Sequence, residues 1–329
     1  MNEKLAYLAQ RLPSSADCAV LHAPIHHRYY LGFQCSYGIL AVTREQALFL
    51  TDARYIEAAE KAISGCVVRL QTDPAAQLRE FMADSGQKTV GMDADTATLG
   101  AVDRVRALTG TEPVTSSELA EVLRRQRACK SREEQEAIGK AHTIAEAVME
   151  QAAAYIGSDM SADDIRRELG MLAGKAGSQL ASFDFAVDRN GDAMTVQVRA
   201  GWGGYQSELV RTVSMGTADE AMSKAYAAAR EAHIRLLGSL CPGDGQEPAA
   251  SPGRILHSRH GIGLEPEESP YAADRMEAGH VLSAQTALMG ETGPLILLRD
   301  VVVVEETGGR ALSMPPEEMP VWGGKEKRQ

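Results

Sequence analysis

Apolar residues in the first third of the chain come in short blocks that switch between helical and strand spacing. Leu5, Leu8 and Leu12 stand at helical intervals, predicting a helix within residues 1–12. Cys18-Ala-Val-Leu-His22 reads as a short strand ended by Pro24. The run Ile25–Phe33 carries His26, His27, Arg28, Tyr29 and Tyr30 and closes at Gly32; the two histidines are expected at a loop-to-strand junction. Gly38–Val42 and Ala47–Leu50 form a hairpin pattern with Thr43–Gln46 as the turn. Thr51-Asp52 then caps a helix over 53–63. Val67–Leu70 and Thr89–Met92 are further strands, separated by a helix over 74–85. Strands alternating with helices at this spacing predict an α/β layer domain.

The pattern changes near residue 118. Arg124, Arg125, Arg127, Lys130 and Arg132 gather around Ser131-Arg-Glu-Glu134, a capping-box sequence that opens a long helix over 132–155. The basic cluster is expected to be a solvated helix face and linker, with a domain boundary near residue 128. Two domains follow, 1–127 and 128–329. The second reads as helices 161–176 and 218–239, the latter ended by Pro242-Gly243, with strands at 181–187, 193–199, 205–214, 254–260, 280–288 and 294–305. Ile156–Met160 and Leu240–Asp244 occupy similar places after their helices, a faint sign of internal duplication.

Bulk properties narrow the partners. The chain has 329 residues, 44% of them apolar and 24% charged, with a formal net charge of −11. That balance speaks against nucleic-acid and anionic-membrane partners, both of which need basic surface. No run reaches the eighteen or so apolar residues of a membrane span, and the first residues lack a signal peptide's apolar core. Cys18, Cys35, Cys66, Cys129 and Cys241 are odd in number and scattered. They read as reduced, cytoplasmic thiols and not as a disulfide frame or zinc site.

Four β-type runs carry isolated polar residues among apolar ones: Gly204–Val213, His257–Pro270, Val281–Gln285 and Leu298–Val304. Runs so far apart in sequence meet only by pairing in one sheet, whose inward polar groups would floor a pocket. His257 and His260 are three apart, so on a strand they face opposite sides and are not a ligand pair. Glu265, Glu267 and Glu268 form an acidic edge expected to be solvated. Trp202 sits in a glycine-rich turn where its ring is available for stacking. Asp184 and Asp188 are further acids with nothing to favour them.

Several of these stretches resemble the creatinase, prolidase and methionine aminopeptidase family, the pita-bread fold. Arg28-Tyr-Tyr-Leu-Gly-Phe33 and Leu50-Thr-Asp-Ala-Arg-Tyr55 resemble markers of its N-terminal domain, and Cys129-Lys-Ser-Arg-Glu-Glu134 resembles the entry to its catalytic domain. Gly204-Tyr-Gln-Ser-Glu-Leu-Val-Arg-Thr212 and His260-Gly-Ile-Gly-Leu-Glu265 resemble its C-terminal motifs. The resemblance implies an α/β (α+β) fold: a creatinase-like α/β domain, then a domain with a curved, mainly antiparallel sheet. It also implies a homodimer in which an N-terminal domain lies near the partner's pocket, with His26 and His27 as candidates for that mouth.

The family's two metal ions are held by two aspartates, a histidine and two glutamates. Carried over, these positions are Gln197, Glu208, His260, Gln285 and Arg299. Only Glu208 and His260 are still donors suited to a transition metal; arginine is no ligand at all. The segment that carries a proton-shuttling histidine is shortened to Val187–Asp192, and the family's later histidine corresponds to Glu267. The loop between Gly243 and His257 is also short for the family. One glutamate, one arginine, two glutamines and a neutral histidine sum to zero charge, as expected of a site rebuilt to stand without metal. The resemblance therefore implies no cofactor, with Glu208 and His260 as the residual catalytic candidates. A ligand site is expected at Gln197, Glu208, His260, Glu267, Gln285 and Arg299. Arg299 is expected to fill the space of the ions and to donate to Glu208, with Gln197 or Gln285 accepting its other donors. Three functions stay open: a non-peptidase that binds a peptide or small molecule in the old substrate groove, a metal-independent creatinase-like C–N hydrolase, and an active metallo-aminopeptidase or prolidase.

Overall fold

A computed structural model of the chain describes residues 1–84, 88–180, 187–190, 192–243, 254–271, 274–290 and 294–323. The chain divides into two units, Met1–Arg127 and Ala128–Gln329. The first runs α1 (Glu3–Gln10), β1 (Cys18–Leu21), α2 (Pro24–Leu31), β2 (Ile39–Thr43), β3 (Ala47–Thr51), α3 (Ile56–Ala62), β4 (Val67–Leu70), α4 (Pro74–Asp84), β5 (Val90–Asp93), α5 (Leu99–Thr109), β6 (Val114–Ser116) and α6 (Ser117–Ala128). Its mixed sheet has the order β4-β3-β2-β1-β5-β6. The β2–β3 hairpin pairs Val42 with Ala47, closing over the expected turn.

Two local expectations need correction. The His26-His27 stretch is helical, not a junction. Pro24 sets the first turn, and Gly32, at φ 62°, ends the helix in the left-handed region. Both rings are buried: His26 Nε2 lies 2.9 Å from Asp93 Oδ2, and His27 Nε2 lies 3.2 Å from the Leu21 carbonyl. Asp52 does not start a helix at residue 53. Its carboxylate accepts from the Arg54 amide at 2.9 Å, making a turn, and α3 begins at Ile56.

The second unit runs α7 (Arg132–Tyr155), α8 (Ala162–Lys175), β7 (Val187–Asn190), β8 (Ala193–Trp202), β9 (Tyr205–Met215), α9 (Glu220–Ser239), β10 (Ile255–Gly261), β11 (Val281–Met289), β12 (Pro294–Glu305), β13 (Gly308–Ala311) and β14 (Val321–Trp322). The capping box of Ser131 and Glu134 forms as the sequence predicts, and Ser161 with Asp164 repeats it on α8. Strands β10-β11-β12-β9-β8-β7 make an antiparallel sheet, with β13 antiparallel on β12 and β14 parallel on β9. Residues 181–186 of the expected strand 181–187 lie outside the described residues. No helix among the described residues is long and apolar enough to cross a membrane.

Strand alternation assigns each side chain of this sheet to a face. Val196, Val198, Leu209 and Val213 turn to α7 and α8, where they meet Ile144, Val148, Ile165 and Leu169. Leu282, Ala284, Val302 and Val304 turn to Leu236 and Leu237 of α9. The intervening residues of the same strands, polar at the positions that matter, form the opposite face.

The His-Gly-Ile-Gly segment is held by close backbone approach. A Cβ on Gly261 would lie 2.3 Å from the Ser269 carbonyl oxygen. One on Gly263 would lie 2.2 Å from Glu268 Oε1 and 2.8 Å from Lys130 Cε. Glu268 and Lys130 form an enclosed ion pair at 2.6 Å, with 5% and 1% of their side chains exposed. The expected solvated acidic edge and basic linker are therefore each broken by one buried member. Gly261→Ala is expected to cost about 1–3 kcal/mol, because a backbone carbonyl cannot move aside as a side chain can. Urea unfolding of the purified variant measures it; a loss within about 0.5 kcal/mol, the range of a surface change, would contradict the close approach.

Candidate functional site

The polar face of the second sheet is built in rungs. Arg199 of β8 pairs with Glu208 of β9, and Gln197 with Val210. Val210 faces Arg299 of β12, which faces Gln285 of β11. Gln285 and Ser283 in turn face Ser258 and His260 of β10. Antiparallel registry thus gathers residues up to about one hundred positions apart onto a few adjacent strands.

Glu208 is the centre, with none of its side chain exposed. Oε1 accepts from Ser283 Oγ at 2.6 Å and from Arg299 Nη1 at 3.0 Å, and lies 3.4 Å from His260 Nε2. Oε2 accepts from Gln197 Nε2 at 2.9 Å and from Arg199 Nη2 at 3.4 Å. Arg299 turns its other edge to Gln285, whose Oε1 accepts from Nε at 3.0 Å and also from Nη2. Arg299 thus meets Glu208 and Gln285, while Gln197 departs from its expected role and donates to Glu208. Ser283 and Arg199 complete the cluster without having been singled out from the sequence. Each stands two residues from a recognised position on its strand, so alternation alone carried the signal. With Arg199 included, Glu208 accepts from two guanidiniums.

Other candidates fall elsewhere. Glu267 is exposed, and among the described residues no hydrogen bond or ion pair joins it to the cluster. His257 is on the helix side, 3.0 Å from Thr286 Oγ1, as its three-residue offset from His260 requires. The Trp202 ring has Lys140 Nζ 5.7 Å from its centroid. Asp184 and the side chain of Asp188 lie outside the described residues.

Burial alone would raise the Glu208 carboxyl, but donation from His260, the charge of Arg299 and the Ser283 hydroxyl more than offset it and hold the pKa at about 2, against an ordinary 4.5. Burial pushes His260 down, yet Glu208 and the Gly261 carbonyl keep it above the ordinary imidazole value. The two contributions to stability have opposite signs in pH. That of Glu208 is full above its unfolded value and is lost as pH falls through about 2. That of His260 is full below about 6.5 and is lost as pH rises through its raised folded value. The pair is expected to favour the fold most between those limits. Unfolding midpoints followed across pH should therefore show Glu208→Gln flattening the acid limb. An acid limb identical to wild type would contradict a depressed Glu208.

A second buried network lies on the helix side. Arg211 donates from Nη2 to Asp300 Oδ1 at 2.6 Å and from Nη1 to Oδ2 at 2.9 Å. His233 Nε2 is 3.0 Å from Asp300 Oδ2, and Ser313 also donates to Asp300. His142 bridges Ser313 and Ser207 at 2.7 and 2.8 Å, and Ser207 is adjacent to Glu208 in the chain. This network clamps β9 to β12 behind the polar face.

Comparison with known proteins fits both units. Residues 9–129 match the creatinase/prolidase N-terminal domain, and residues 136–306 match metallopeptidase family M24, over half of the chain. The chain belongs to family M24. Its curated relatives include an uncharacterized peptidase, YqhT, of Bacillus subtilis, 25% identical over 96% of this chain and 98% of that protein. An Xaa-Pro dipeptidase of Pyrococcus horikoshii is 22% identical over 97% and 99%. Among solved structures, an Xaa-Pro dipeptidase from Bacillus anthracis has a TM-score of 0.85 at 21% identity, covering 97% of this chain and 99% of that one. The pita-bread architecture with its N-terminal domain is therefore that of this M24 chain. Away from the Glu208 cluster, Cys129, Glu277 and His280 place possible metal-donor atoms within 4.8 Å of one another.

Proposed function

We propose that this M24 chain binds a peptide or small molecule on the polar face of its second sheet and does not hydrolyse it through metal ions. The observation that carries the reading is Arg299 Nη1, 3.0 Å from Glu208 Oε1. A guanidinium there competes with a cation for the same oxygen, and it brings its own positive charge. The donor set points the same way. Of the five family positions, Gln197, Gln285 and Arg299 supply two amides and a cation, and Gln197 already turns its N–H₂ to the carboxylate. A dinuclear site needs bridging carboxylates, and Glu208, the one carboxylate among those five positions, is committed to five side-chain donors. The residues do not fit a pair of metal ions, so no hydrolytic step through a metal is assigned.

Hydrolysis of an Xaa-Pro dipeptide in the presence of added manganese tests this. No turnover above the buffer rate is expected, for wild type or for Arg299→Glu, because Gln197 and Gln285 persist in the variant. Turnover that a chelator abolishes would overturn the reading. We also propose a cytosolic homodimer, on the family resemblance and on five unpaired cysteines; light scattering at micromolar concentration that gives the mass of one chain would contradict the dimer.

A further inference from the structure

Just ahead of β11, Glu277, Ala278, Gly279 and His280 make a tight turn. The His280 amide donates to the Glu277 carbonyl at 3.1 Å, and Gly279 stands at φ 92°, the left-handed value glycine supplies at the third position of such a turn. The turn brings its two end residues together, with the Glu277 amide donating to His280 Nδ1 at 3.1 Å. Cys129, 148 positions before Glu277, reaches the same place by backbone pairing. It forms an isolated antiparallel bridge with His280, and the Lys130 amide donates to the Gly279 carbonyl at 2.9 Å. Val304 of β12 also holds the turn, accepting from the Gly279 amide at 2.9 Å and donating to the His280 carbonyl at 2.8 Å. Cys129 Sγ donates to Glu277 Oε2 at 3.9 Å. A thiol sulfur, a carboxylate oxygen and an imidazole nitrogen thus stand within 4.8 Å of one another on a fixed backbone.

We propose that Cys129, Glu277 and His280 form a structural site for one divalent metal ion of the zinc type, separate from the Glu208 cluster and independent of the metal-free reading of that cluster. Thiolate, imidazole and carboxylate together suit such an ion better than magnesium, calcium or manganese. Ligand atoms about 2.0–2.3 Å from a tetrahedral ion lie about 3.5 Å apart, so the 3.9 Å between Cys129 Sγ and Glu277 Oε2 needs only a small closure. The ion displaces the thiol proton, which leaves to solvent, and the sulfur–metal bond forms in its place. His280 Nδ1 accepts the Glu277 amide, so it carries no proton and can give its lone pair to an ion in exchange for that one hydrogen bond. Thiolate and carboxylate together balance the charge of the ion. Glu277 is exposed, Cys129 half-buried and His280 buried, so an ion has a way in and water supplies a fourth ligand. Bound there, the ion would clip the chain just before α7 to the turn just before β11, closing a loop of 148 positions.

Cobalt(II) is the probe, because a thiolate ligand gives it a charge-transfer band in the near ultraviolet that oxygen and nitrogen ligands do not. Titrated into reduced, chelator-treated, full-length protein, cobalt is expected to bind at about one ion per chain and to show that band. Cys129→Ser is expected to abolish the band and to lower the affinity at least about tenfold, the loss that even partners behind the ligands can cause. Glu277→Gln alters an exposed side chain and so leaves the fold intact; it is expected to keep the band and to weaken cobalt binding by about tenfold or more. Zinc is expected to raise the melting temperature of the wild type and not that of Cys129→Ser. No band in the wild type, a band that persists in a folded Cys129→Ser, or an unchanged affinity in Glu277→Gln would overturn the inference. Cobalt bound without the band and lost on Glu208→Gln would place the ion at the Glu208 cluster, against this inference and the metal-free reading alike. Absence of any bound cobalt would remove this inference alone.

Discussion

Arg299→Ala is expected to lower the free energy of unfolding by about 3–5 kcal/mol, the usual cost of removing one side of a buried ion pair. Glu208 has none of its side chain exposed, and Arg299 is 19% exposed, so the carboxylate would be left enclosed against a cavity. Arg199 and His260, both 3.4 Å from Glu208, would take up part of the charge and draw the loss toward the lower end. Adding Glu208→Gln to Arg299→Ala removes the stranded charge and is expected to recover part of the loss, a coupling that a double-mutant cycle reads directly. Chemical denaturation with an unchanged slope would locate the effect in the folded state. A loss below about 1 kcal/mol would show the pair to behave like a solvated surface bridge, contrary to its enclosure.

Arg211→Ala should cost at least as much. Asp300 is fully buried, and Arg211 is 4% exposed, so water cannot replace the lost partner. Burial raises the Asp300 carboxyl, but Arg211 and His233 pull it below its ordinary value, so the charge persists in the folded chain. His233 and Ser313 would still contact the carboxylate, but neither makes the two-bond fork of Arg211. The expected cost is about 3–5 kcal/mol, seen as a lowered urea midpoint or loss of soluble protein. Arg211→Lys is expected to fall between, because an ammonium cannot make both bonds of the fork. An Arg211→Ala variant as stable as wild type would contradict a fixed charge on Asp300.

Much of this arrangement was legible from local chemistry. The Ser131–Glu134 capping box marked the start of α7, and period-two alternation separated His257 from His260. The five family positions pointed to one cluster because two sequence motifs fixed the register. What escaped was set by contacts remote in sequence. Lys130 and Glu268 each sit in a charged stretch, and nothing local says that one of each pairs with the other across 138 residues. Helix α2 was hidden because its histidines and tyrosines have weak helix preference, although Pro24 and Gly32 bracketed it. Arg199 lies outside the five family positions, and only the face it shares with Gln197 on β8 marks it. It is one of the two guanidiniums that donate to Glu208.

The most direct test of the central claim is metal content. Protein carrying Cys129→Ser, which takes the separate Cys129, Glu277 and His280 group out of account, would be incubated with manganese, desalted and assayed by elemental analysis. A metal-free Glu208 cluster predicts far less than one ion per chain, and the same value after Glu208→Gln with His260→Gln. Two ions per chain that disappear with those two substitutions would contradict it.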